Sequence, residues 1–346
     1  MTQSENDRIA ASYRRFADEE ARGHSPLYET LARAVAADPE VLALLATLPP
    51  AKRQPNLLLV AVRHIAGVSA GWSSFRNAIG AQWESVQAII LDHSTQTNEP
   101  ARCATLLPIL AQLPQPLALI EVGASAGLCL LPDHYAYDYG GQALGPANRT
   151  AEIPVFSCQV DDATPVPETL PWVAWRAGLD LNPLDVTDAE QTAWLETLVW
   201  PEQEQRLASL QAAIRVARAA RPRIVRGDLR KDLTSLAAEA PRGMTLVVFH
   251  TAVLACVPEQ TDRDDFAASV TSLCDFWIAN ESPSVFPSIA QKAGHGGLPG
   301  RFLLSVNGNP VAWANPHGAA INWIADSQSP IKPVSYRNVG PAQIYP

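Results

Sequence analysis

The chain has no apolar run long and uninterrupted enough to cross a bilayer, which takes roughly 20 residues. Met1 to Asp7 are polar, without a charged-then-apolar leader. A cytoplasmic location and no membrane partner are therefore the expectations. The five cysteines, Cys103, Cys129, Cys158, Cys256 and Cys274, are odd in number and far apart. That excludes a disulfide framework or a zinc knuckle and leaves small buried hydrophobes. Positive charge is also short: the formal net charge is -9, and an acidic chain repels phosphate backbones. Arg215, Arg218, Arg221, Arg223 and Arg226 cluster in sequence, but the first three fall at a helix end, where cations suit the dipole. Nucleic acid is not an expected partner. No set of histidines and carboxylates has compact metal-ligand spacing, no repeat or low-complexity tract occurs, and no strand pattern precedes Pro116.

What is there is a folded composition, 47% apolar and 18% charged, in a chain long enough for one large domain or two ordinary ones. From Asp7 to about Leu113 the pattern is helical. Ser25 before Pro26 and Asp38 before Pro39 each set an N-cap ahead of a proline at the first helical position. Gln54-Pro55-Asn56 opens the apolar run Leu57 to Ile65, which Gly67 closes. Further helices are predicted over Trp72 to Ile79, Trp83 to Asp92 and Ala101 to Leu113. A helical domain at 1–114 is the expectation.

After Pro116 short apolar strands alternate with helices, the pattern of a parallel sheet covered on both faces. Predicted strands are Leu117 to Glu121, Val173 to Asp180, Arg223 to Gly227, Thr245 to His250 and Phe276 to Asn280. Predicted helices are Asp188 to Leu198, Glu202 to Ala220, Leu229 to Glu239 and Arg263 to Cys274. Arg301 to Val306 and Pro310 to Ala314 flank Asn307-Gly308, a hairpin turn signal, with Pro310 suited to an edge or a strand start. The segment 132–171, with Tyr135, Tyr137, Tyr139, Gly140 and Gly141, reads as an insertion that forms its own hairpin or a lid. Residues 115–346 thus read as a mostly parallel, Rossmann-like α/β domain with a C-terminal antiparallel hairpin.

The first strand runs into Glu121-Val122-Gly123-Ala124-Ser125-Ala126-Gly127, and a helix is expected to follow. Read as Gly-x-Ser-x-Gly, this is the nucleophile elbow of an α/β-hydrolase with Ser125 as nucleophile. A triad with Asp180 or Asp228 and His250 or His317 is conceivable, but an elbow sits in mid-sheet, and no strand precedes this one. Read as Glu-x-Gly-x-Ser-x-Gly, the stretch resembles the nucleotide-binding turn of class I S-adenosylmethionine methyltransferases. Five alternating strands with a terminal hairpin resemble the sheet of that superfamily as well.

The resemblance implies S-adenosylmethionine as cofactor and assigns residues at successive strand ends. Gly123 lets backbone approach the ligand, and Gly127 lets the following helix pack close, with Ser125 where glycine is commoner. Glu121 falls where the superfamily keeps an acidic residue near the methionine moiety, and Asp180 where a carboxylate accepts both ribose hydroxyls. Asp228 falls beside the adenine amino group. Each has a plainer alternative: a charge at a strand end for Glu121, a turn carboxylate for Asp180, a helix N-cap for Asp228. The chain also resembles an uncharacterised bacterial family with an N-terminal helical region. That likeness rests on Thr97-Asn98-Glu99 with Arg102, Asp133 to Gly141, Trp175 to Val186, Val247 to Pro258 and Pro316-His317-Gly318, and it brings no known reaction.

For the methyl acceptor, His250 at the fourth strand's end is the candidate general base, with a hydrogen-bonded core imidazole as its alternative. Thr251 follows it. Asn98, Glu99 and Arg102, ahead of the helix that feeds the first strand, are candidates for lining the cleft, and an ordinary helix entrance is the alternative. His317 and His64 read as a turn residue and a core residue. Trp72, Phe75 and Trp83 have the spacing of core aromatics. The expectation is a methyltransferase acting on a small molecule. A methyltransferase-like binding or regulatory protein without catalysis is the second reading, and the hydrolase the third. Neither the acceptor nor the oligomeric state is set by the sequence.

Overall fold

A computed structural model of the chain describes residues 3–96, 98–148, 150, 152–294 and 297–324. In chain order the helices α1 (Gln3–Phe16), α2 (Pro26–Val35), α3 (Pro39–Ala46), α4 (Pro55–Ala66), α5 (Trp72–Asp92) and α6 (Cys103–Leu110) precede strand β1 (Leu117–Val122). Then come β2 (Ala136–Asp138), β3 (Ala143–Leu144), β4 (Val155–Ser157), β5 (Val173–Asp180), α7 (Ala189–Leu198), α8 (Glu204–Ala220), β6 (Arg223–Arg226) and α9 (Leu233–Ala238). The chain continues through β7 (Thr245–Thr251), α10 (Gln260–Leu273), β8 (Phe276–Glu281), α11 (Pro287–Lys292), β9 (Phe302–Val306), β10 (Asn309–Ala314) and β11 (Ile321–Trp323). Two compact units result, 1–97 with 189–208 and 98–188 with 209–346. The segment that holds Asn98, Glu99 and Arg102 thus groups with the sheet.

The first unit is helical. Ser25 caps α2 by accepting from the Tyr28 amide, and Asp38 caps α3 through the Glu40 and Val41 amides, with Pro26 and Pro39 at the first helical positions. Gly67, at φ 77°, closes α4. The sequence reads two helices at 72–79 and 83–92, and α5 holds both, meeting across a kink at Gln82 (φ -132°, ψ 26°), just past Gly80. Trp194 of α7 is buried in this core. Its indole donates to the Ser94 carbonyl at 3.1 Å and its ring lies 4.4 Å from that of His93.

The second unit is an α/β domain with one mixed, mostly parallel sheet in the order β11-β10-β9-β8-β7-β1-β5-β6. The strands from β6 to β8 are parallel, and β9, β10 and β11 add an antiparallel meander. Asn307 (φ 53°) and Gly308 (φ 71°) make the β9–β10 turn left-handed at both positions. Pro310 stands at the start of β10, as its missing amide requires: β11 pairs only further on, with Ala312 to Ala314, past the irregularity that follows Pro310. The chain steps outward from β1 to β5 and β6, then returns to lay β7 and β8 on the other side. That reversal puts the topological switch point, where a sheet of this kind has its ligand crevice, at the carboxyl ends of β1 and β7.

Two expectations about the turn after β1 change. No α-helix follows it; the chain makes a single 3₁₀ turn, Leu128–Leu130. Pro132 is the reason, since proline and the residue before it both resist helix, and only four residues separate it from Gly127. Gly127 therefore packs against strand rather than helix: a Cβ there would meet Ile224 Cδ1 at 2.9 Å. The insertion forms a second sheet, β3-β2-β4, and it is packed. The hydroxyls of Tyr135, Tyr137 and Tyr139 donate to the carbonyls of Leu128, Pro132 and Ala104, and Arg176 of β5 grips Asp133 with two nitrogens at 2.7 and 2.8 Å.

Replacing Trp194 with alanine removes a buried aromatic and one of the two donors to the Ser94 carbonyl, the other being the Gln96 amide. A loss of about 3–5 kcal/mol is expected, read as a fall in the midpoint of urea unfolding.

Candidate functional site

Strand alternation decides which side chains reach the crevice. On one face of the sheet Ala118, Ile120 and Val122 of β1, Leu179 of β5, Leu246 and Val248 of β7, and Trp277 and Ala279 of β8 pack with residues of α9, α10 and α11. With a period of two, Glu121, Asp180, Thr251 and Asn280 belong to the other face, all at carboxyl ends. Thr251 and Asn280 are direct partners across β7 and β8. Over this polar row lies the segment from Asn98 to Thr105. Arg102, 5% exposed, donates from Nη1 to the carbonyl of Thr251 (3.1 Å) and to its Oγ1 (3.3 Å), and from Nε to the Pro316 carbonyl (2.7 Å). Its guanidinium also lies over Phe302 at 5.9 Å. Glu99, equally buried, does not pair with Arg102. Its carboxylate faces His317 Nδ1 at 3.3 Å.

The turn after β1 uses all of its own amides. Those of Gly123 and Ala124 donate to the Leu179 carbonyl, that of Ser125 to Asp180 Oδ2 (2.7 Å), that of Ala126 to Asn98 Oδ1 (3.0 Å), and that of Gly127 to the Ala124 carbonyl. A phosphate cradle needs such amides turned outward. None between 123 and 127 is. Gly123 (φ 71°) also brings backbone against side chain, since a Cβ there would meet Val253 Cγ2 at 2.4 Å. Ser125 is left-handed at φ 49°, and its hydroxyl accepts from Asn98 Nδ2 at 2.7 Å. Asp180 gives its other oxygen to the Asn182 amide at 2.7 Å.

Glu121 is the anomaly. It is 4% exposed and its Oε2 has no hydrogen-bond partner within the protein. Burial pushes its carboxyl well above the usual range, helped by Cys129 and Asp180 and opposed by Arg102. Cys129 lies in the 3₁₀ turn below, where its thiol donates to the Glu99 carbonyl at 3.4 Å.

His250 lies on the other face, one residue before Thr251. It is fully buried among Phe266, Trp277 and Phe286. The Trp277 indole can only donate, so Nε2 of His250 is the acceptor at 3.0 Å and the proton sits on Nδ1, which bonds Glu281 Oε1 at 2.7 Å. Both ring nitrogens are engaged away from the crevice. Asp228 also stands apart, past β6 at the sheet edge. Arg230 takes both of its oxygens and holds its carboxyl down to about 2. It does not cap α9, which starts at Leu233. Thr97 lies outside the described residues.

Asn280 and Glu281, which close β8, were legible only as two polar residues ending an apolar strand. Asn280 Oδ1 and Glu281 Oε2 are buried without partners. On the His250 face Glu281 borders a small cavity of about 10 Å³ with Ser282, Phe286, Ile289, Leu303 and Ser305. Among the described residues no group of three or more His, Cys, Asp or Glu could hold a metal ion, and no helix is long and apolar enough to cross a membrane.

A family model described as "Uncharacterized protein conserved in bacteria (DUF2332)" matches residues 10–323. The chain belongs to this family. The match spans the helical unit and the sheet of the DUF2332 chain alike. No curated protein and no solved structure matches it.

Glu121→Gln tests the buried carboxyl without changing its shape. Because its folded value is raised, the folded chain holds this proton to higher pH than the unfolded one, so the wild type loses stability as pH climbs above the unfolded value of about 4.3. The glutamine variant is expected to flatten that decline and to gain about 1–3 kcal/mol at pH 8, read by urea unfolding at pH 5 and pH 8.

Proposed function

We propose that the chain binds S-adenosylmethionine at the carboxyl ends of β1, β5 and β7 and methylates a small molecule there. The observation that carries the reading is the bare Oε2 of Glu121, a buried acceptor in a row with Asp180. A buried carboxylate oxygen without a donor calls for a cationic or hydrogen-bond-donating ligand. S-adenosylmethionine is such a ligand, carrying an ammonium and a sulfonium, with a carboxylate as its one anionic group and no phosphate. The absence of outward amides in the turn disfavours a dinucleotide and leaves the carboxylate of this ligand to donors outside the turn. The residues present therefore fit the cofactor, which when bound supplies an activated methyl group.

In this reading Ser125 borders the ligand, Gly123 lets Val253 pack against the turn, and Gly127 seats the turn on β6. Glu121 takes the positive end of the ligand. Asp180, with one amide on each oxygen, keeps lone pairs for two ribose hydroxyls. Arg102, Thr251, Asn98 and Glu99 line the acceptor side and hold it against the reacting carbon, and positioning of that kind supplies much of the rate of such a transfer. His250 and Asp228 carry no role here, because His250 lies on the opposite face of the sheet and Asp228 past its edge strand under Arg230.

A ligand-holding protein without catalysis is favoured by one fact: His250, the candidate base, has both ring nitrogens taken on the opposite face of the sheet. The hydrolase reading finds no support in the contacts of Ser125, whose hydroxyl partner is an amide, in a turn that no helix follows. A fluorophosphonate probe is expected to leave Ser125 unlabelled. Label lost in Ser125→Ala would restore that reading.

Calorimetry with S-adenosylmethionine and S-adenosylhomocysteine tests the cofactor. Binding is expected in the wild type and at least about tenfold weaker binding in Glu121→Gln, the size of a lost charge-assisted hydrogen bond. No heat with either ligand would remove the proposal. Heat without transfer of a labelled methyl group to any small molecule of a bacterial extract would leave the non-catalytic form.

A further inference from the structure

The loop after β7 forms one side of the crevice, and its conformation is imposed from the opposite face of the sheet. Ala252 is left-handed at φ 56°, a conformation that strains a non-glycine residue. It persists because its neighbours are tied. The Ala252 amide donates to the Asn280 carbonyl at 3.0 Å, and the Val253 and Leu254 amides both donate to Glu281 Oε1, at 2.9 and 3.1 Å. The same oxygen accepts from His250, whose ring is fixed in turn by the Trp277 indole. The consequence is local and specific. Val253 stands with both methyl groups against the Cα of Gly123, closing the gap between the ends of β1 and β7 on the side nearer Gly123.

We propose that Glu281 is a positioning residue that shapes the ligand crevice, holding the 252–254 segment against the glycine turn while Trp277 and His250 hold Glu281. It touches no ligand. Its work is done by one oxygen gathering two backbone amides and an imidazole, so that the strain at Ala252 is retained and the wall made by Val253 stays in place. A purely structural carboxylate would stabilise the fold without setting the width of the crevice. The ligand arm of this inference rests on the binding reading above; the loop arm does not.

Cys256 provides the readout. It is exposed, two residues past Leu254, whereas Cys103, Cys129, Cys158 and Cys274 are buried. The experiment follows alkylation of Cys256 by N-ethylmaleimide, located by peptide mass spectrometry, together with hydrogen exchange of the 252–256 peptide and calorimetric binding of S-adenosylhomocysteine. Three variants are compared. Glu281→Ala removes the acceptor. Glu281→Asp keeps the charge but withdraws the oxygen by one methylene, and it carries the test if the alanine variant does not fold. Glu281→Gln keeps an oxygen for the same amides and is the rescue.

Alanine and aspartate are expected to speed alkylation and exchange by about tenfold through local opening and to weaken ligand binding by about tenfold, while glutamine stays within about twofold of wild type. Unchanged alkylation and exchange in Glu281→Asp, with only a lower melting temperature, would overturn the proposal and leave a structural role. Faster alkylation in a protein whose wild type binds neither adenosyl compound would uphold the clamp and remove the cofactor reading instead.

Discussion

The peptide groups of the turn that leaves β1 have to be satisfied without a helix to follow them. A helix would have taken the amides after Gly127 into its own ladder and left the earlier ones for a ligand. With Pro132 in the way, the turn instead borrows acceptors from two distant places, Asp180 of β5 for the Ser125 amide and Asn98 for that of Ala126. Those two bonds fix the relation of β1 to β5 and to the segment that leads into α6. Arg102, four residues on, extends the tie to Thr251 and Pro316. An unsatisfied buried amide costs about 1–3 kcal/mol, so each of these contacts is enforced by what its loss would leave exposed to nothing.

Two buried glutamates sit at strand ends on opposite faces and show what environment does to one side chain. Glu281 has three donors on a single oxygen, supplied by His250 and two backbone amides, and so keeps its loop in one conformation. Glu121 has no donor on its Oε2, and its carboxyl is driven upward by burial with only Arg102 opposing. The first carboxylate is anchored through one oxygen, although its Oε2, like that of Glu121, is buried without a partner. The second has no anchoring bond at either oxygen to explain its place, and a buried acceptor of that kind suits a residue that binds a ligand.

The parallel strands were legible because apolar runs bounded by turn residues have few other uses, and β5 keeps the predicted bounds Val173 to Asp180. The caps at Ser25 and Asp38 were legible for the same reason: their chemistry is local. What failed to show was anything decided by one residue of phase or by a neighbour far along the chain. His250 and Thr251 are adjacent in sequence, yet alternation sends them to opposite faces, and only the packing of Val248 against α9 and α10 says which face is which. The expected helix after Gly127 ignored Pro132, although that signal was present. Arg230 closing on Asp228, and Glu99 turning to His317 rather than to Arg102, depend on rotamers that sequence does not carry.

Left-handed, non-glycine backbone occurs on both sides of the crevice, at Ser125 after β1 and at Ala252 after β7. Each is a position where glycine would remove the strain, and each carries a Cβ all the same. The two are held by different means, Ser125 by Asn98 and Asp180 from the polar face, Ala252 by the backbone carbonyl of Asn280 in β8 and, through the amides that follow it, by Glu281 from the other side of the sheet. Strain held independently on two neighbouring strand ends converges on the same place, the contact of Val253 with Gly123. That contact sits at the reversal of strand order, where a doubly wound sheet opens its crevice. The geometry there is thus set twice over, once from each face, and the side chain left without a partner between them is Glu121.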